Sequence, residues 1–280
     1  MLSAPSINFP IDEVNLRINY LREKTIHLIN LARENQSKLS YRNSLSDEEE
    51  KSLIDKVDTI FDSEISKILK EKFPHDSFHF ESTGEETGKS DFKWIVDSID
   101  GTMNFLRKIP LYAISMGLEY RGSTVGAYVI LPDFNDVYLS IRGEGAFRNG
   151  VSIECSEIQN LDRSLLISSF PYSRKSNMRE TISEVSAFVS TGRSMRRTGS
   201  LVVDLCWLAE GRVDGLWEKD VKKFDISATS LILEEAGGNI TNLLGQEIIN
   251  FPTGIIASNG YIQPQIIEVL KKTRNELNLN

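Results

Sequence analysis

Cysteine is nearly missing from these 280 residues: Cys155 and Cys206 are the only two, and they lie far apart. That excludes a disulfide framework and a cysteine-based zinc site. Histidine is almost as scarce, with His27, His75 and His79. The last two are four residues apart, but Pro74 and the Phe-rich surroundings speak against a helical zinc pair. No Gly-x-Ser-x-Gly elbow exists, so the usual serine-hydrolase reading has no support. Positive charge is also short: Lys plus Arg number 32 against 40 Asp plus Glu, a formal net charge of −8. Nucleic acid and anionic membranes are polyanions, so this balance argues against bulk binding to either, while allowing a local basic patch such as Arg193, Arg196 and Arg197. Long apolar runs are absent, and Met1–Pro5 has neither the basic nor the apolar region of a signal peptide. The expected location is the cytoplasm. What is present is an ordinary globular composition, with 40% hydrophobic and 26% charged residues, long enough for one large domain or two modest ones.

The pattern changes along the chain. Val14, Ile18, Leu21, Leu28 and Ala32 recur at helical spacing over residues 11–34. Residues 35–51 are polar and end in Asp47-Glu48-Glu49-Glu50, read as a solvated loop entering a helix N-terminus, where acids are favourable. A second helix is expected over about 52–71, carrying Asp58 and stopped by Pro74. From residue 91 the period becomes that of strands: Trp94-Ile95-Val96, Tyr112–Tyr120, Thr124–Leu131 and Val137–Ile141 are separated by turn chemistry, which predicts an antiparallel sheet. Gly143-Glu144-Gly145 reads as a hairpin turn, since no strand-to-helix unit surrounds it. After about residue 160 strands (165–168, 213–217, 255–257) alternate with helices (175–190, 200–210, 225–236, 261–275). The fold expected is layered α/β, with an antiparallel sheet in the first half and a second, mixed sheet packed by helices in the other. The division anticipated is 1–150, helices plus the sheet bearing most of the chemistry, and 151–280, an α/β half completing the site.

The densest group of reactive residues is Trp94-Ile-Val-Asp97-Ser98-Ile99-Asp100-Gly101-Thr102-Met-Asn-Phe105. An apolar strand runs into two acids and the Ile99 carbonyl between them, hard oxygen donors of the kind Mg²⁺ takes. Gly101-Thr102 then opens a helix whose free amides suit a phosphate. Taken alone, an Asp-Gly turn with both acids in water explains the segment as well. Glu85-Glu86-Thr87-Gly88 lies upstream, and Asp225 stands at the head of a helix leading to Gly237-Gly238.

Trp94–Phe105 and Phe224–Gly238 resemble the two signature motifs of the inositol monophosphatase family. Glu85-Glu86-Thr87-Gly88, Gly143–Gly150, Arg197–Cys206 and Ala209–Glu218 follow in family order, over about residues 52–260. The resemblance implies an αβαβα sandwich, a Mg²⁺-dependent phosphomonoesterase with two or three ions per site, and a homodimer. Carried over, it implies metal ligation by Glu85, Asp97, the Ile99 carbonyl, Asp100 and Asp225, with Glu86 replacing Glu85 if the loop is registered one residue differently. Asp58 and Thr102 would orient a metal-activated water for direct attack, so Asp58, Thr102 and Glu85 form the catalytic set. The amides of Gly101 and Thr102 would hold the phosphate, flanked by Asp100 and Asp225, and Gly199, Ser200 and Glu218 would contact the alcohol. The activity implied is hydrolysis of inositol monophosphate or a related polyol phosphate. Fructose 1,6-bisphosphate, histidinol phosphate and nucleotide 3′-phosphates are alternative substrates, and a regulatory binding protein is an alternative role, with transcription machinery disfavoured as a partner.

Four positions depart from the family pattern. Ser98 stands where Pro is usual, Phe224 where Trp is usual, and Asp55 where Thr is usual. A Lys common in the loop before the second helix has no counterpart in 35–51, which bears on a third ion.

Overall fold

The computed structural model describes residues 8–39, 46–168 and 178–277. Two long helices come first, α1 (Ile11–Lys38) and α2 (Asp47–Lys72). The acidic run is therefore the first turn of α2 and not a loop before it. Ser46 caps the helix in a reciprocal pair with Glu49, its hydroxyl accepting from the Glu49 amide and its own amide donating to the Glu49 carboxylate. Acids in that turn also meet the positive end of the helix dipole.

The first sheet has eight strands in chain order except at one edge: β2-β1-β3-β4-β5-β6-β7-β8. They are β1 (Ser77–Phe80), β2 (Gly84–Glu86), β3 (Phe92–Asp100), β4 (Ala113–Tyr120), β5 (Ser123–Leu131), β6 (Asp136–Ile141), β7 (Ala146–Arg148) and β8 (Val151–Ser152). The sheet is antiparallel but for one parallel pair, β1 with β3. Strands β1 and β2 lie in a stretch too short and polar for periodicity to reveal. The Gly143–Gly145 segment is the turn between β6 and β7, and the Glu235 carboxylate accepts the amides of Gly143 and Gly145, at 2.7 and 2.9 Å. A short helix, α3 (Thr102–Leu106), follows β3.

The second sheet is mixed, in the order β10-β9-β11-β13-β12. It comprises β9 (Leu165–Ser168), β10 (Ser194–Arg196), β11 (Gly215–Val221), β12 (Asn239–Asn242) and β13 (Thr253–Ser258). The helices are α4 (Met178–Thr191), α5 (Leu201–Ala209), α6 (Lys223–Glu235) and α7 (Gln263–Glu276). The expected helix over 175–190 is α4, with residues 175–177 outside those described.

Strand alternation sorts the apolar side chains into separate layers. Ile114, Met116 and Leu118 of β4 face α1 and α2, joining Val14, Ile18, Phe61 and Ile65 in one core. Ala113, Ala127 and Val129 point the other way and meet Val203 and Leu205 of α5, Leu231 of α6, and Leu216 of β11. On the far face of the second sheet, Leu166, Trp217 and Ile256 pack with Phe188 of α4 and Ile266 of α7. The layers run helix, sheet, helix, sheet, helix. Gly117 of β4 sets one spacing: a Cβ there would lie 2.3 Å from Ser227 Oγ, so the bare backbone lets α6 lie hard against the first sheet.

Candidate active site

A cleft of about 540 Å³ opens where the C-terminal end of β3, the start of α3 and the starts of α5 and α6 converge. Asp97 and Asp100 are three apart on β3, a spacing that points side chains to opposite faces of a regular strand. The ladder with β4 is irregular there: Asp97 pairs with Ser115 but Asp100 with Ala113, so three steps on one strand oppose two on the other. This bulge turns both acids to the same cleft.

Glu81 completes a cluster with Asp97 and Asp225, one carboxylate oxygen from each lying within 4.8 Å of the others. Register explains its place. In the parallel pair Phe80 stands beside Val96, and the Glu81 amide donates to the Val96 carbonyl at 3.3 Å, so the next residues along are Glu81 and Asp97. The family resemblance implies Glu85 for this role, or Glu86 by a shift of one. The structure puts both elsewhere, on the exposed return strand β2, where Glu85 pairs with Lys93 and Glu86 with Lys70. Neither lines the cleft.

The other expected residues do line it. They are Asp58 from α2, Asp97, Ile99, Asp100, Gly101 and Thr102 around the end of β3, Gly199 and Ser200 before α5, Glu218 on β11, and Asp225 on α6. Gly101 has φ +81°, and a Cβ there would meet the Leu111 carbonyl at 2.8 Å, so the turn into α3 demands glycine. Asp100 is bound to the start of α5, accepting from the Ser200 hydroxyl and from the Val202 amide at 3.0 Å. It thus stands beside the three-carboxylate cluster and not within it. Asp225 is in the first turn of α6 and accepts the Lys222 amide at 2.7 Å. Thr102 Oγ lies 3.1 Å from the Ile99 carbonyl and within hydrogen-bonding reach of the Asp58 carboxylate; its single proton serves one at a time.

The electrostatics are those of gathered acids taken out of water. Burial pushes Asp58 up to about 7, reinforced by Glu81, Asp62 and Asp55. Burial, then Asp100, Glu81 and Asp225, raises Asp97 well above the usual carboxylate range. Asp100 is pushed up to about 6 and Asp225 to about 7, in each case chiefly by burial. Asp204, also in the cleft, is raised by burial although the Thr198 hydroxyl donates to it at 2.5 Å. Like charges in a low-dielectric cleft cost free energy that a bound cation removes. The donor set is all oxygen and geometrically convergent, which fits a hard divalent ion.

Two departures from the family pattern find an explanation. Phe224 is buried and meets His79 edge to face, with ring centroids 6.1 Å apart, so an apolar ring still seats the start of α6. The Ser98 hydroxyl donates to buried Asp62 at 2.6 Å. Asp55 is exposed, and nothing in the structure accounts for it. A second cleft of about 600 Å³ is lined by Arg163, Arg193, Arg196 and Arg212 but holds none of the expected site residues.

The sequence description of the inositol monophosphatase family matches residues 17–275. The Nus factor SuhB of Escherichia coli K12 is 31% identical over 223 residues, covering 79% of this chain and 82% of that one. The inositol monophosphatase of Anabaena (Nostoc) superposes with a TM-score of 0.73 at 29% identity, covering 77% and 86% of the two chains. The extragenic suppressor protein suhB of Bartonella henselae gives a TM-score of 0.81 at 26% identity, covering 91% and 98%. Among the described residues, no helix is long and apolar enough to cross a membrane.

Proposed function

Because the chain belongs to the inositol monophosphatase family, we propose that this cleft hydrolyses a polyol phosphate monoester, of the inositol monophosphate type, with Mg²⁺ as cofactor. The observation that carries the proposal is the convergence of Glu81, Asp97 and Asp225 beside the Gly101-Thr102 turn. Glu81, Asp97, Asp225, Asp100 and the Ile99 carbonyl would hold two or three ions, Glu81 taking the role first assigned to Glu85. Bound Mg²⁺ neutralises charge on these acids and on the substrate and acts as a Lewis acid toward phosphate oxygens.

A phosphate monoester is a dianion that repels its nucleophile, so positioning and charge compensation carry the catalysis. The Gly101 and Thr102 amides lie at the start of α3, the Gly101 amide turned toward the Asp100 carboxylate, and would hold the phosphate. Asp58, within reach of the Thr102 hydroxyl, accepts a proton from the attacking water and fixes its direction. Glu218 and Ser200, with the bare backbone at Gly199, contact the alcohol, and Arg197 and Lys222 on the cleft wall draw in the anionic ester. Two copies of the chain are expected to associate, as the family resemblance implies.

The test is phosphate release from inositol 1-phosphate, fructose 1,6-bisphosphate, histidinol phosphate and adenosine 3′,5′-bisphosphate, with and without Mg²⁺. The expected result is Mg²⁺-dependent release with inositol 1-phosphate the best of the four; no release from any of them would overturn the reading. A second reading rests on the relative called a Nus factor. It supports a regulatory association with transcription machinery for this chain, a partner that the sequence disfavours. Turnover by the purified chain separates an enzyme from a protein that only binds.

A further inference from the structure

Asp62 lies on α2 one turn beyond Asp58 and is 2% exposed, a buried carboxylate. No cation pairs with it among the described residues. Its charge is met by four neutral donors instead. Oδ1 accepts the Ser98 hydroxyl at 2.6 Å, and Oδ2 accepts the Thr83 amide at 3.0 Å, the Thr83 hydroxyl at 3.1 Å and the Ser82 hydroxyl. A buried carboxylate with so many donors is held hard, because releasing any of them strands a buried polar group.

The donors come from two places only. Ser82 and Thr83 directly follow Glu81, and Ser98 directly follows Asp97. One carboxylate therefore grips the residue after each of two members of the acidic cluster and anchors both to α2. Glu81 needs such an anchor: it sits past the end of β1, its backbone tied to β3 by one long amide bond to the Val96 carbonyl at 3.3 Å, and its carboxylate stands beside those of Asp97 and Asp225 with only the partly exposed Lys222 to offset them. Ser98 supplies a hydroxyl where the family pattern has proline, so here a hydrogen bond does the stiffening that a ring does elsewhere.

We propose that Asp62 is a positioning residue, a clasp that holds Glu81 and Asp97 at the separation a divalent cation requires. The proposal rests on the metal-dependent reading above. Groups that orient metal-holding residues govern affinity strongly, by roughly 10–100-fold when removed. Asp62→Asn replaces an acceptor oxygen with an NH₂ group facing donors, and Ser98→Ala deletes one arm of the clasp while leaving the carboxylate in place.

The experiment is calorimetric titration of metal-free protein with Mg²⁺, alongside circular dichroism and the melting temperature in EDTA. Asp62→Asn should weaken Mg²⁺ binding on the order of tenfold or more. Ser98→Ala should weaken it severalfold with the EDTA melting temperature nearly unchanged, a split that a merely structural role would not give. In turnover, the Mg²⁺ concentration needed for half-maximal rate should rise while the rate at saturating Mg²⁺ changes little. If Asp62→Asn fails to fold, Ser98→Ala and Thr83→Val carry the test. Wild-type affinity in the folded variants would overturn the clasp alone. Failure of the wild-type chain to take up Mg²⁺ would overturn the metal reading and the clasp together.

Discussion

The Lys222 ammonium stands 3.2 Å from Glu81 Oε1, so the acidic cluster carries its own counter-charge, delivered from the start of α6 to the end of β1. The pair is partly exposed, which limits its contribution to a fraction of a kilocalorie up to about 1 kcal/mol. A cation arriving at Glu81 must compete with it. Lys222→Met should therefore tighten Mg²⁺ binding by about two- to fivefold, while KM for the anionic ester rises. Calorimetry and steady-state kinetics read the two effects separately; weaker Mg²⁺ binding would show that Lys222 supports the ion.

The raised acids set a pH window with a definite sign. Asp58 and Asp225 near 7, Asp100 near 6 and the still more buried Asp97 hold protons in the folded chain that the unfolded chain releases from about pH 4 upward. Their contribution to metal-free stability is therefore greatest below pH 4 and falls as pH rises through 6 and 7, where Asp100, Asp58 and Asp225 lose their protons. Mg²⁺ competes with the same protons. The rise in melting temperature from EDTA to saturating Mg²⁺ should be small at pH 5 and grow through pH 7; a shift independent of pH would contradict the assignment.

Asp97→Asn and Asp225→Asn each remove one charge from the cluster with little change in shape. Turnover should fall by at least two orders of magnitude. The EDTA melting temperature at pH 8 should rise by a few degrees, because a desolvated, like-charged carboxylate is gone. Mg²⁺ should then add little further stabilisation. Differential scanning calorimetry in both buffers checks this, and unchanged turnover in both variants would exclude these acids from the site.

Thr102→Ala and Asp58→Asn should each lower kcat strongly and leave Mg²⁺ affinity within a fewfold. The Thr102 hydroxyl lies within reach of the Asp58 carboxylate, so if the two orient one water the double variant should be little worse than the poorer single one. Fully additive losses would mean that they act apart.

The strength of the sequence reading lay where chemistry and chain order coincide. Asp97, Asp100, Gly101 and Thr102 are consecutive or nearly so, and an apolar strand ending in acids and glycine announces itself. Asp225 was marked by its place at a helix start. Glu81 was missed because its position depends on pairing between two strands, and β1 is four residues of mixed polarity. The Glu85-Glu86 pair attracted the assignment by composition, yet β2 folds back and leaves both in solvent. One signal was available: Phe78 and Phe80 alternate with polar residues, and the acid directly after them falls level with Asp97 once β1 lies parallel to β3. The bulge that turns Asp97 and Asp100 the same way, and the hydroxyl at Ser98 answering Asp62, are likewise tertiary facts. For α2, periodicity placed the start too late because its first turn is wholly polar; the cap at Ser46 and Glu49 decides it instead.

Gly117 touches none of the cleft, yet it governs the cleft through a missing methyl group. Helix α6 can carry Asp225 to Asp97 only because β4 offers it bare backbone to lie on. Inheritance of the site is therefore wider than inheritance of its acids. A lineage could keep every carboxylate and still lose their convergence by gaining one carbon atom where the helix meets the sheet.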